Sequence, residues 1–271
     1  MLLAVYLGFV LTAHASPQPP PPVSPSPDGA RLLTRCFRAM GGPGELEQIQ
    51  SMHVRAALKS EDESLGEIEM YLARGNRSLF RFTQEDGETS SFGSDGTISW
   101  EQVPASEGGG WKLLPTEQLA RRIAANNWLG RVLHMGAETT TMKTAGKVTF
   151  EGRPCWAVDL EYRQDEPMTA FFDTETKLIV GFQRPFQMPE DDLAESSMID
   201  IVFSDWKPVE DVTLFHEVKL VIRPNMSSLQ LNYVTLAIND VPDSTFDLPS
   251  QVKALAPPTP APLPKESPDG G

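Results

Sequence analysis

A chain of 271 residues with 40% hydrophobic and 8% aromatic content has enough apolar matter for a core, so the protein as a whole is not disordered. Acidic residues number 37 against 23 basic ones, a net charge of −14. That balance argues against nucleic acid and against electrostatic docking on anionic lipid, both of which need basic patches, and fits a solvated surface that keeps an exported chain soluble.

Met1 to Ala15 is an apolar run ending in Ala13-His14-Ala15. A short apolar stretch before a small-x-small triplet reads as a cleavable signal peptide, cut after Ala15, and the expected destination is the periplasm. The run is too short to span a bilayer as a helix, and it lacks the Lys or Arg that ordinarily precedes such a segment. No Cys follows the cleavage site, so the mature protein is not expected to be a lipoprotein itself. Residues 16–29 form a proline-rich linker with no means of building a core.

Asp28 can cap a helix running to Met40, with Leu32, Leu33, Cys36, Phe37 and Met40 at helical spacing. Gly41-Gly42 ends it, and a short turn over Glu45 to Gln50 follows. Met52, Val54, Ala56 and Leu58 alternate as a first strand. From Gly66 to Trp100 the alternation continues through Ile68, Met70 and Leu72, then Leu79 to Thr83, broken at Arg74-Gly75-Asn76, Glu85-Asp86-Gly87 and Ser94-Asp95-Gly96. Period-two patterning with Asp-Gly turns predicts an antiparallel meander of three or four strands.

A glycine-rich tip at Ala105 to Gly110 and Trp111-Lys-Leu-Leu-Pro115 lead to one expected long helix, Thr116 to about His134. Its apolar stripe holds Leu119, Ala120, Ile123, Ala124 and Trp128, extended by Leu129, Val132 and Leu133. Strands resume over Lys147–Phe150, Cys155–Tyr162, Thr169–Asp173, Leu178–Phe186, Met198–Ser204, Thr213–Ile222 and Leu229–Ala237. About ten or eleven strands with two helical insertions predict a mainly β fold, one antiparallel sheet long enough to curl into an incomplete barrel. Residues 250–271 are again proline-rich and are expected to be a disordered tail.

The order of Gly66, Tyr71-Leu72, Leu79-Phe80-Arg81-Phe82, Ser94-Asp95-Gly96 and Trp100 resembles the LolA/LolB superfamily of periplasmic lipoprotein carriers. The resemblance spans about Ala30 to Pro249 and closes on Val241 to Pro249, which looks like the family's last strand. It implies a half-open β-barrel domain over residues 30–249 with a helix across its mouth as a lid. It also implies that Arg81 and the helix residues Leu119 and Ile123 serve gating, and that lipoprotein sorting to the outer membrane is the superfamily's business.

Chemistry is thin elsewhere. His53, His134 and His216 are isolated, with no His-x-x-x-His pair, and packing or surface roles suit them better than metal ligation. Glu61-Asp62-Glu63 and Glu190-Asp191-Asp192 lack the spacing of a calcium loop. There is no nucleophile elbow and no phosphate loop, so neither an enzyme nor a cofactor is expected. Cys36 and Cys155 could bridge in an oxidising compartment, or stand as two separate buried thiols.

What remains is apolar: Met70, Phe80, Phe82, Trp100, Leu113, Trp128, Trp156 and Phe172 are the candidates for a hydrophobic groove, although each could equally be core. The expected function is a monomeric exported carrier holding an acyl chain, lipid or lipidated protein, with envelope proteins as further partners. The alternative is a non-catalytic envelope scaffold with a filled core.

Overall fold

The computed structural model describes residues 27–61, 63–162, 167–186, 197–223 and 227–256. The expected signal peptide, nearly all of the expected linker, Asp62, the Glu190–Asp192 run and the end of the expected tail lie outside the described residues. Helices α1 (Gly29–Ala39) and α2 (Pro43–Glu47) come first. Strands β1 (Ser51–Ser60), β2 (Glu63–Ala73), β3 (Arg77–Gln84), β4 (Thr89–Asp95), β5 (Ser99–Val103) and β6 (Gly110–Leu113) follow as a meander. Then come α3 (Thr116–Asn126), α4 (Trp128–Glu138), β7 (Thr139–Phe150), β8 (Arg153–Tyr162), β9 (Pro167–Asp173) and β10 (Ile179–Phe186). The chain continues through β11 (Ser197–Val209), β12 (Val212–Arg223) and β13 (Ser227–Ile238), and finishes with a 3-10 turn (Asp243–Phe246) and α5 (Ser250–Leu255).

Local chemistry accounts for the ends of these elements. Asp28 caps α1 by accepting from the Ala30 N–H at 3.3 Å. Gly41 and Gly42, at φ 122° and 106°, take the chain out of it through a conformation few other residues tolerate. The Gly75-Asn76, Gly87 and Gly96 positions all carry positive φ, as the expected turns require.

The strands form one antiparallel sheet in the order β6-β5-β4-β3-β2-β1-β13-β12-β11-β10-β9-β8-β7. Its edges, β6 and β7, do not pair, so the curled sheet stays an incomplete barrel. The segment joining those two edges is the one that carries α3 and α4. Among the described residues thirteen strands replace the ten or eleven expected: β6 is only four residues long and follows directly on the glycine-rich tip, which hides its period. The long helix expected over Thr116 to His134 is two. Asn127 interrupts it at φ −93°, ψ 69°, and its Oδ1 accepts from the Gly130 N–H at 2.8 Å, restarting the helix as an N-cap.

Strand alternation sorts residues onto two faces. On the inner face, Leu32, Leu33, Cys36 and Met40 of α1 and Trp128, Leu129, Val132 and Met135 of α4 pack on Val54, Met70, Phe80, Phe172, Phe182, Ile201, Phe203 and Phe215. Burial of each such side chain favours folding by about 1.5–3 kcal/mol. A smaller outer cluster holds Phe150, Cys155, Ala157, Phe171 and Val180. The segment Val241 to Pro249, expected as a closing strand, holds the 3-10 turn instead and lies along β3 and β4. Residues 250–255, placed by composition in the disordered tail, form α5, which packs beside β6 and fully buries Val252.

Candidate functional site

Residues paired across the strands show why the inner face is not filled evenly. One row runs Val54–Met70–Phe80–Phe92 from β1 to β4, and the Phe80 and Phe92 rings stack with centroids 4.7 Å apart. The next row on the same face reads Ile238–Met52–Leu72–Ser78–Ser94–Ser99 from β13 to β5. Side-chain volume falls along it, from three large apolar residues to three serines. The space they leave is part of a cavity of about 1010 Å³. That is the size of a small-molecule or lipid pocket.

The remaining walls come from the helices and from the β2–β3 and β4–β5 turns. Phe37 of α1, Leu46 of α2 and Ile49 just beyond it contribute apolar surface, as do Leu119 and Ile123 of α3 and Leu133 of α4. Glu47, Arg74, Arg131 and Glu138 add charge to the lining, and His134 adds an imidazole ring. Ser78, Ser94 and Ser99 are all buried, at 2%, 4% and 7% exposure. Ser94 Oγ accepts from the Gly96 N–H at 3.0 Å. Ser78 Oγ has no hydrogen-bond partner among the described residues, an uncommon state for a buried hydroxyl.

Helix α3 is tied to the sheet beside this cavity. Glu101 faces inward next to Phe92, where Arg122 of α3 and Lys112 of β6 both pair with it. The Arg122 guanidinium also lies 5.5 Å from the centroid of the Phe92 ring. Burial alone would raise the Glu101 carboxyl, but the two cations outweigh it and hold it below the usual carboxylate range.

Of the residues expected at the groove or its gate, Leu119 and Ile123 line the cavity. Met70, Phe80, Phe82 and Trp128 face inward but belong to the packed core, where Trp128 lies against Phe182 with ring centroids 6.5 Å apart. Trp156 and Phe172 border a separate small crevice with Leu32 and Arg35. Trp100 and Leu113 are on the outer face: register pairs them with each other and Trp100 with Gly93, opposite in parity to Phe92. A Cβ on Gly93 would come within 2.4 Å of the Ser78 carbonyl oxygen, so only glycine fits there.

Arg81 is also outside. Its Nη1 donates to Glu69 at 2.8 Å, and Glu69 also accepts from Tyr71 and meets His53 at 3.0 Å. Burial opposes the Glu69 charge, but these partners together hold the carboxyl below its usual range. Arg81 therefore sits in a surface network, on the face away from α4.

Pattern reading missed much of the lining, including Phe37, Leu46, Ile49, Met52, Leu72, Leu133 and the serine row. Serines at strand positions whose alternation calls for apolar residues were the available signal. Among the described residues, no group of three or more His, Cys, Asp or Glu is placed to hold a metal. No helix among them is long and apolar enough to cross a membrane.

No family model matches the sequence, and no curated protein matches it. Solved structures do share the fold. A DUF1329 family protein from Desulfovibrio piger aligns with a TM-score of 0.52 at 12% identity, over 82% of this chain and 98% of that one. A LolA superfamily protein from Nitrosomonas europaea aligns with a TM-score of 0.52 at 9% identity, over 82% and 99%. The chain thus has a LolA-like fold, as the order of its strand motifs led us to expect.

Proposed function

We propose that this protein is an exported carrier or binding protein for acyl chains, taking them into the cavity between α1–α2, α3–α4 and the inner face of β1–β5. The observation that carries this reading is the cavity itself, with apolar surface from four helices and about 1010 Å³ of space. A twelve-carbon chain buried there would gain roughly 9 kcal/mol at about 0.8 kcal/mol per methylene, before the cost of ordering it. Because α3 lies in the segment joining two unpaired edges, it can shift to admit or release cargo without breaking any strand pairing. A lipid or the acyl group of a lipidated protein would serve equally as cargo, and an aqueous compartment of the envelope is where such carriage is needed.

The test is native mass spectrometry of the full chain purified from an envelope extract, with uptake of the fluorescent hydrophobe N-phenyl-1-naphthylamine measured in parallel. We expect bound lipid or probe uptake in the unaltered protein. The Ile123→Glu substitution, which puts a charge into an apolar part of the lining, should weaken uptake about tenfold while lowering the melting temperature less than the loss of a core ring does, since Ile123 is only partly buried against the core. Trp128→Ala should instead destabilise the fold by about 3–5 kcal/mol, as loss of a large core ring does. A clean apo mass with no probe uptake would return the protein to the scaffold alternative.

A further inference from the structure

Ser78, Ser94 and Ser99 are adjacent in register on three neighbouring strands and face one cavity. A purely hydrocarbon ligand does not explain them. Alanine would leave the same space with no hydroxyl to desolvate, and a buried hydroxyl without a partner is costly. Ser78 pays that penalty most plainly: it is 2% exposed and its Oγ is unpartnered among the described residues. A hydroxyl in this position can donate one hydrogen bond to an oxygen brought in by a ligand.

We propose that this serine row, with Ser78 at its centre, is a polar subsite that accepts the carbonyl oxygen of the bound acyl group. The proposal rests on the acyl-chain reading above and adds orientation to it. The carbonyl end seats against β3–β5, and the hydrocarbon runs toward Phe37, Leu46, Leu119 and Ile123. The cavity then selects acyl chains over plain alkanes of the same length. Leu72, which precedes Ser78 in the row, marks where the polar wall gives way to an apolar one. An ester or amide carbonyl and a free carboxylate present the same acceptor, so either can fill the subsite.

Competition against N-phenyl-1-naphthylamine tests this on the full chain, with methyl laurate, laurate and dodecane as competitors. In the unaltered protein methyl laurate, laurate or both should outcompete dodecane. Ser78→Ala should weaken the oxygen-bearing competitor about three- to tenfold, the worth of one hydrogen bond, and leave dodecane unchanged. Loss confined to methyl laurate identifies an ester or amide carbonyl as the natural group, and loss confined to laurate a free acid. If Ser78→Ala alters none of the three, or all three alike, the subsite proposal is overturned while the cavity reading stands. Failure of the probe to enter the unaltered protein would overturn both. Ser94→Ala, which also removes the acceptor for the Gly96 N–H, serves as a second variant and should show the same selectivity.

Discussion

Arg122 on α3 and Glu101 on β5 form the ion pair that fastens the helix between the sheet's two free edges to the strand beside it. Glu101 is largely enclosed while Arg122 is partly exposed, at 14% and 40% of their side-chain surfaces. The pair is therefore worth a modest amount, since solvent screens its outer partner. Its position matters more than its strength, because α3 also supplies Leu119 and Ile123 to the cavity.

Replacing Arg122 with Ala should loosen α3 without unfolding the sheet. Exchange of α3 backbone amides, followed by mass spectrometry, should speed up about two- to fivefold, with exchange in β11–β13 unchanged. Equal acceleration across the whole chain would show that Arg122 contributes to global stability and not to fastening the helix.

The same pair predicts a pH dependence. The folded Glu101 carboxyl lies below its ordinary value because Lys112 and Arg122 outweigh burial. A group depressed in the folded state adds stability that is fully present above its unfolded pKa, about 4.3, and is lost as pH falls through the folded value. The melting temperature of Glu101→Gln should lie below that of the unaltered protein at neutral pH. The gap should close as pH drops below about 4. A gap that stays constant down to pH 3 would mean the charge on Glu101 is not what stabilises the contact.

The cysteines should stay apart. Cys36 lies on α1 over the inner face and Cys155 in the outer cluster, so the sheet separates them, and both are free. Burial pushes the Cys36 thiol up to about 12; burial, with the Asp173 charge, pushes Cys155 up to about 11. At pH 8 neither presents a thiolate, and neither should react with an aromatic disulfide reagent until denaturant is added. Rapid titration of one thiol in the folded protein would show that its surroundings open readily.

A chain ended at Pro249 removes α5 and the burial of Val252, which is 0% exposed. Loss of that side chain's burial is worth about 2 kcal/mol, or roughly 4–8 °C in melting temperature for a domain of this size. A chain ended at Ala256 should melt with the full-length protein. If both truncations melt alike, α5 adds nothing to the fold.

Alternation and turn chemistry are local, so most strands, the Asp-Gly turns, the α1 cap and the shared face of Phe80 and Phe82 were legible along the chain. It also held the break at Asn127, since Asn is a favoured N-cap residue, but the apolar stripe running through Trp128 outweighed it. Register sets Trp100 beside Gly93 and so on the face opposite Phe92; alternation within each strand does not say which of them meets the helices. That depends on which face each covering element reaches, and here α1 and α4 cover one face while the C-terminal turn and α5 lie beside β3–β6. Aromatic residues are thus demanded on both faces, and size alone could not mark a groove. The cavity arises where a row of large side chains across six strands gives way to Ser78, Ser94 and Ser99, residues brought side by side by register and not by sequence. That outcome belongs to the folded chain, because a void is a property of what several distant segments together fail to fill.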